Sequence, residues 1–287
     1  MESRKGLRVR KSLLQSSIPT IAALAVFVGL AYGLDLIIHP HFSQAGLLLM
    51  GGIMAIFPAL AWLSFFYQQD RREPEPKGLV AVVFLLGGLL AMAIGIPLVE
   101  DLFQVSTWIY DNFWINLLGA ILVIGFSQEF LKYAAVRFSV YSSSEFDERT
   151  DGIIYATAAG LGFATIQNIT YVVNSGGIDL GTGAIRIVLT ALAQAGFAGI
   201  TGYFLSKEKL DGAPVWWMPL GVGSAAMLNG LFFTVYGTLS KATISASGAF
   251  FKPWVGLILA VVLVAGVTGL LTVLIQRDQR QISVKGD

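Results

Sequence analysis

Seven polar residues stand in four consecutive apolar segments: Gln128, Glu129 and Lys132 in one, Gln167 and Asn168 in the next, then Gln194, then Asn229. A polar or ionisable side chain in hydrocarbon needs a partner, and such residues mark functional sites by default. Carboxylates and imidazoles in these places would do general acid–base chemistry or hold a metal ion. The types present are mostly amides, which donate and accept hydrogen bonds but do not titrate. Glu129 and Lys132 are three residues apart, so a helix puts them on one face, where each can neutralise the other. Taken alone, that pair also fits a lysine that snorkels to the interface with a glutamate beside it. A lone amide in a bundle is usually interhelical glue, but four consecutive segments carrying one suggest a shared polar centre.

The elements that must position these residues follow from composition. Of 287 residues, 55% are hydrophobic and 13% charged, against roughly 25% charged in soluble domains. The reading is an all-α, polytopic transmembrane helical bundle. About eight spans fall near 18–38, 45–67, 79–99, 113–136, 152–174, 185–205, 214–238 and 253–276, each long enough for about 30 Å of hydrocarbon. The transmembrane domain is 18–276, between a basic tail, 1–17, and a short tail, 277–287. Arg4, Lys5, Arg8, Arg10, Lys11, Arg71, Arg72, Lys77, Arg137, Arg149, Lys207, Lys209, Arg277, Arg280 and Lys285 fall on one side of this layout. Only Arg186, Lys241 and Lys252 fall on the other, so both termini are expected in the cytoplasm. Trp108, Trp114, Trp216, Trp217 and Trp254 sit near span ends, as an interfacial aromatic belt would. The basic tail reads as an orientation signal rather than a nucleic-acid arm.

Cysteine is absent, which excludes disulfides and thiolate nucleophiles, and His39 and His41 are the two histidines, which argues against a histidine-rich metal site. The fifth span carries a stripe of Phe163, Gln167 and Tyr171 at four-residue spacing, and a small-residue stripe of Ala156, Gly160 and Ala164 that suits close helix contact. Asp151, just before it, is a plausible helix cap.

These residues resemble the PrsW-type intramembrane proteases, distant relatives of the CAAX prenyl endopeptidases. The resemblance rests on four segments within roughly 45–238. Asp70-Arg-Arg-Glu73-Pro74-Glu75-Pro76 looks like the family's acidic, proline-containing loop, and Gln128-Glu129-x-x-Lys132 like its Glu-Glu-x-x-Lys motif. Asp151-Gly152 through Phe163, Gln167 and Asn168 looks like its Phe-x-x-x-Glu span, and Arg186 with Gln194 and Gly202-Tyr203 like its first His-bearing span. The family pattern has glutamate at positions 128 and 167 and histidine at 194 and 225, the last in a motif that ends here at Asn229. This chain has Gln128, Gln167, Gln194 and Ala225 at these degenerate positions. Glu129, Lys132, Phe163, Asn168 and Asn229 remain, with Glu129 and Lys132 as the remnants of the catalytic motif.

Amides preserve a polar centre while removing its base. The expectation is therefore a catalytically inactive homologue, without metal or other cofactor, that binds or scaffolds other membrane proteins. One alternative is an active intramembrane endopeptidase using Glu129. Another is a transporter or a structural subunit of a membrane complex, although Pro58 and Pro97 interrupt their spans without a matching later pair. The expected partners are membrane lipids and another integral membrane protein, with no nucleic acid. The expected location is a bacterial cytoplasmic membrane.

Overall fold

The computed structural model describes residues 43–68, 74–174 and 180–236, with parts of 20–37 and 258–274. The described residues form helices and no strands. Helix α1, Gln44–Tyr67, starts at Ser43, whose Oγ accepts from the Gly46 amide, and contains Pro58. Helix α2 starts at Lys77–Leu90, directly after Pro76, and continues through π-type turns Ala91–Gly95 and Leu98–Leu102. Pro97 lies between these turns; it has no N–H to donate, and wider turns are one way a helix accommodates that. Helix α3, Phe113–Arg137, is capped by Asn112, whose Oδ1 accepts from the Ile115 amide at 2.9 Å, and has a π segment at Ala120–Gly125. Helices α4, Arg149–Asn174, α5, Leu180–Asp211, and α6, Trp217–Tyr236, follow. Gly212 ends α5 with φ +63°, a conformation that costs a residue without Cβ little.

Among the described residues, five helical stretches are long and apolar enough to cross a membrane: Leu48–Tyr67, Lys77–Thr107, Phe113–Arg137, Gly183–Asp211 and Trp217–Tyr236. They match five of the eight runs read from the sequence. The expected span 152–174 falls on α4, which is not among the five. Helix α4 packs on α1, α2, α3 and α5, and residues 150–165 are buried without interruption. A helix enclosed by protein needs no apolar face for lipid, so it can carry Thr157, Thr165, Gln167 and Asn168 among its glycines. The runs 18–38 and 253–276 are described in part and carry only the shorter apolar helices Ala22–Ala31 and Val261–Leu271 among the described residues, while His39, His41 and residues 70–73 of the acidic loop lie outside the described residues.

Close approach through glycine sets the spacing of the bundle. A Cβ at Gly160 would lie 2.5 Å from the Gln194 carbonyl oxygen, and one at Gly125 2.3 Å from that of Ala226. These contacts draw α4 onto α5 at Gln194, and α3 onto α6 one turn before Asn229. The small-residue stripe on α4 is a packing device, as its composition suggests.

Candidate functional site

The polar residues of α3, α5 and α6 meet in one hydrogen-bonded cluster. Lys132 Nζ donates to Glu129 Oε1 and to Gln194 Oε1, each at 2.5 Å. Gln194 Nε2 donates to Gln128 Oε1 at 3.1 Å. Asn229 Nδ2 donates to Gln128 Oε1 at 3.1 Å and to Glu129 Oε1 at 2.8 Å. Glu129 and Lys132 have no exposed side-chain surface, so the pair has little water to solvate it. Phe163 of α4 lies under the ammonium, its ring centroid 5.6 Å from Nζ, within cation–π range. Along α3, Glu129 is eight residues from Arg137 and sixteen from Phe113, about 12 Å and about 24 Å at 1.5 Å per residue.

A cavity of about 610 Å³ opens beside this cluster. Gln128, Phe163, Gln167, Gln194 and Asn229 line one part of it, and Glu100, Ser106, Tyr110, Asn174 and Arg186 line the part at the far end of the bundle. The Arg186 guanidinium lies 3.2 Å from the Tyr171 ring centroid.

Not every residue expected in the polar centre joins it. Gln167 lines the cavity, but its buried Oε1 has no hydrogen-bond partner. Asn168 Nδ2 instead donates to the Ile187 carbonyl at 3.2 Å, tying α4 to α5. Ala225 is fully buried among apolar side chains, one turn before Asn229. Tyr110, Thr190 and Tyr236, which also line the cavity, went unnoticed in the sequence. Tyr236 had a signal: Asn229, Phe232, Phe233 and Tyr236 recur at helical spacing on one face of α6.

A second buried cluster lies at the end of the bundle that carries Arg137, Arg149 and Lys209. Tyr155 Oη donates to Glu75 Oε2, and Tyr67 Oη donates to the Glu75 carbonyl at 2.8 Å. Asp151 lies within the first turn of α4 and is not its cap. Its Oδ2 reaches back to accept from the amides of Asp147 at 2.8 Å and Glu148 at 2.5 Å. Burial first, then a hydrogen bond with Glu75, pushes the Asp151 carboxyl up to about 9. Two acids so close share a proton.

The family model for PrsW family intramembrane metalloproteases matches residues 75–272. This chain belongs to the PrsW family. The relatives named Protease PrsW include one from Bacillus subtilis (strain 168), 31% identical over 188 residues, which cover 65% of this chain and 82% of that one. The one from Oceanobacillus iheyensis is 36% identical over 155 residues, 54% of this chain and 67% of that one. A third, from Halalkalibacterium halodurans, is 30% identical over 189 residues, 65% and 83% of the two chains. No solved structure matches. The apolar helices and the bacterial PrsW relatives make the chain an integral membrane protein of a bacterial cell membrane.

The metal ion in the family's description fits this donor set poorly. Among the described residues, no three His, Cys, Asp or Glu side chains gather where they could hold an ion. The cluster offers one carboxylate, and the oxygens of Gln128 and Gln194 are already taken by N–H donors.

Proposed function

We propose that the chain is an intramembrane endopeptidase that takes a membrane-embedded segment of another protein into the cavity beside Gln128, Gln194 and Asn229. In this reading Glu129 is the residue that accepts a proton from the attacking water. The family supports cleavage, because the relatives' name, Protease PrsW, describes an activity. The structural observation that carries the reading is Glu129 Oε2. It is buried without a hydrogen-bond partner, while Oε1 of the same carboxylate is fixed by Lys132 and Asn229. A carboxylate held by one oxygen leaves the other to act as a base; Glu129 and Lys132 do not line the cavity themselves but bond to Asn229 and Gln194, which do.

A second reading, a family member that binds or scaffolds without cutting, is favoured by the side chains around Glu129. Gln128, Gln167 and Gln194 cannot take up a proton, and Ala225 offers a methyl group. The names of the relatives weigh for cleavage over this reading.

One experiment separates the two. The purified chain is reconstituted in liposomes with a fluorescently tagged single-span protein. Cleavage that is lost with Glu129→Gln establishes the protease. An intact segment that co-purifies with the chain, native and Glu129→Gln alike, establishes the binder.

We infer further that eight spans cross the membrane with both termini in the cytoplasm, on the strength of the Lys/Arg asymmetry. The chain has no cysteine, so Ser283→Cys gives a single label site. Its modification by a membrane-impermeant maleimide only after cell lysis is the expected result. Labelling of intact cells would reverse the topology.

A further inference from the structure

We infer that the Lys132 ammonium is the resident cation of the polar centre in this chain, standing where a divalent metal ion would have to bind, so that the centre is complete without one. The inference concerns the site's charge and coordination and does not depend on whether the chain cleaves.

The first observation is coordination. An ammonium has three N–H donors and no acceptor. Here it donates to Glu129 Oε1 from α3 and to Gln194 Oε1 from α5, both at 2.5 Å, and the Phe163 ring closes a third side at 5.6 Å. Two oxygens from two helices and an aromatic face thus surround the ammonium. A metal ion on Glu129 Oε1 would sit about 2.0–2.2 Å from that oxygen. The ammonium is already 2.5 Å from the same atom, so the two cations would compete for it.

The second observation is charge. Glu129 and Lys132 sum to zero in a setting with no exposed side-chain surface. A divalent ion added to this pair would leave two uncompensated positive charges among apolar walls, and uncompensated charge is what such an interior tolerates least. Gln128, Gln194 and Asn229 bring no negative charge, and Ala225 brings no ligand. Glu129 Oε2, buried without a donor, is the one anionic oxygen left for a metal ion, where a protein zinc site uses three or four ligands.

The third observation is that the amide oxygens of Gln128 and Gln194 are committed. Gln128 Oε1 accepts from Gln194 and from Asn229, and Gln194 Oε1 accepts from Lys132. Turning either oxygen toward a metal ion would break at least one of these bonds and leave a buried N–H without an acceptor.

The test uses the full chain in detergent. It is loaded with zinc, passed through a desalting column and assayed for metals by mass spectrometry. Its melting temperature is followed with zinc, with manganese and with a strong chelator. The expected result is far less than one ion per chain and a melting temperature that neither metals nor chelator move. One ion retained per chain, or a melting temperature lowered by chelator and restored by zinc, would overturn the inference. Cleavage enters neither readout, so a failure here is distinct from a failure of the endopeptidase reading.

Discussion

Lys132→Met removes the ammonium, keeps an unbranched apolar side chain in its place, and leaves Glu129 buried with half of its partners. Removing one member of a buried ion pair typically costs about 3–5 kcal/mol. The bond to the Gln194 oxygen goes as well, and an acceptor left unsatisfied adds about 1 kcal/mol or more. Protonation of Glu129 limits the total, because the neutral acid needs no counter-charge, so the lower end, roughly 3 kcal/mol, is the expected loss. At about 2–4 °C per kcal/mol for a chain of this size, the melting temperature in detergent should fall by roughly 6–12 °C. Lys207→Met is the control. Lys207 pairs with Asp211 at 3.5 Å, both partly exposed, and such pairs contribute about 0–1 kcal/mol. Thermal unfolding followed by tryptophan fluorescence and by size exclusion reports both variants. The double variant Glu129→Gln with Lys132→Met restores neutrality and should recover at least half of the lost melting temperature. Equal melting temperatures for Lys132→Met and Lys207→Met would refute the reasoning, and so would a double variant as unstable as the sum of its parts.

Other outcomes follow from single contacts. Asn229→Ala removes the donor shared by Gln128 and Glu129 and should cost about 2–3 kcal/mol; Asn229→Asp, which faces Glu129 with a second carboxylate, should cost more, as chemical unfolding in mixed micelles would show. Gly160→Val puts side-chain atoms against the Gln194 carbonyl and should cost at least about 2 kcal/mol, whereas Gly223→Ala, with nothing within 4 Å of its added Cβ, should be neutral or mildly stabilising. Asp151 has a folded-state pKa above its unfolded value, so its contribution to stability is complete below pH of about 4 and is lost as pH rises through about 9. The melting temperature of the native chain should therefore drop more between pH 6 and pH 9 than that of Asp151→Asn, which keeps an acceptor for the Asp147 and Glu148 amides and does not ionise; parallel pH profiles would contradict the shared proton.

The polar centre was legible in the sequence because hydrocarbon offers its side chains no solvent. Gln128, Glu129, Lys132, Gln194 and Asn229 had to find one another, and three-residue spacing already paired Glu129 with Lys132. Partners at longer range were less legible. Gln167 and Asn168 carry the same signal as Gln194, yet Asn168 serves a backbone carbonyl and Gln167 faces the cavity. The direction a helix residue points depends on every turn before it, and the π segment at Ala120–Gly125 changes that count just upstream of Gln128. Helix α4 is less apolar than the five spanning stretches, but its enclosure by α1, α2, α3 and α5 is written in no periodicity, so α4 read as an ordinary span. The Glu75–Asp151 contact joins a loop to a helix start 76 positions on, and no periodicity encodes that.

The cluster has a direction. Lysine can only give hydrogen bonds, so Gln194 must turn its oxygen toward Lys132 and its nitrogen toward Gln128. Gln128 must then answer with its own oxygen, which Asn229 also uses. The orientation of each amide is thereby dictated by one donor-only group at the head of the chain. What remains at the tail is the NH₂ of Gln128, on a residue that lines the cavity. On the endopeptidase reading, a bound polypeptide meets a giver of hydrogen bonds at Gln128 and an unpaired acceptor at Gln167. The Gln128 NH₂ favours a stretch whose carbonyl oxygens are unclaimed, as they are where a helix frays or a proline has removed the usual donor, over a stretch whose backbone is fully paired.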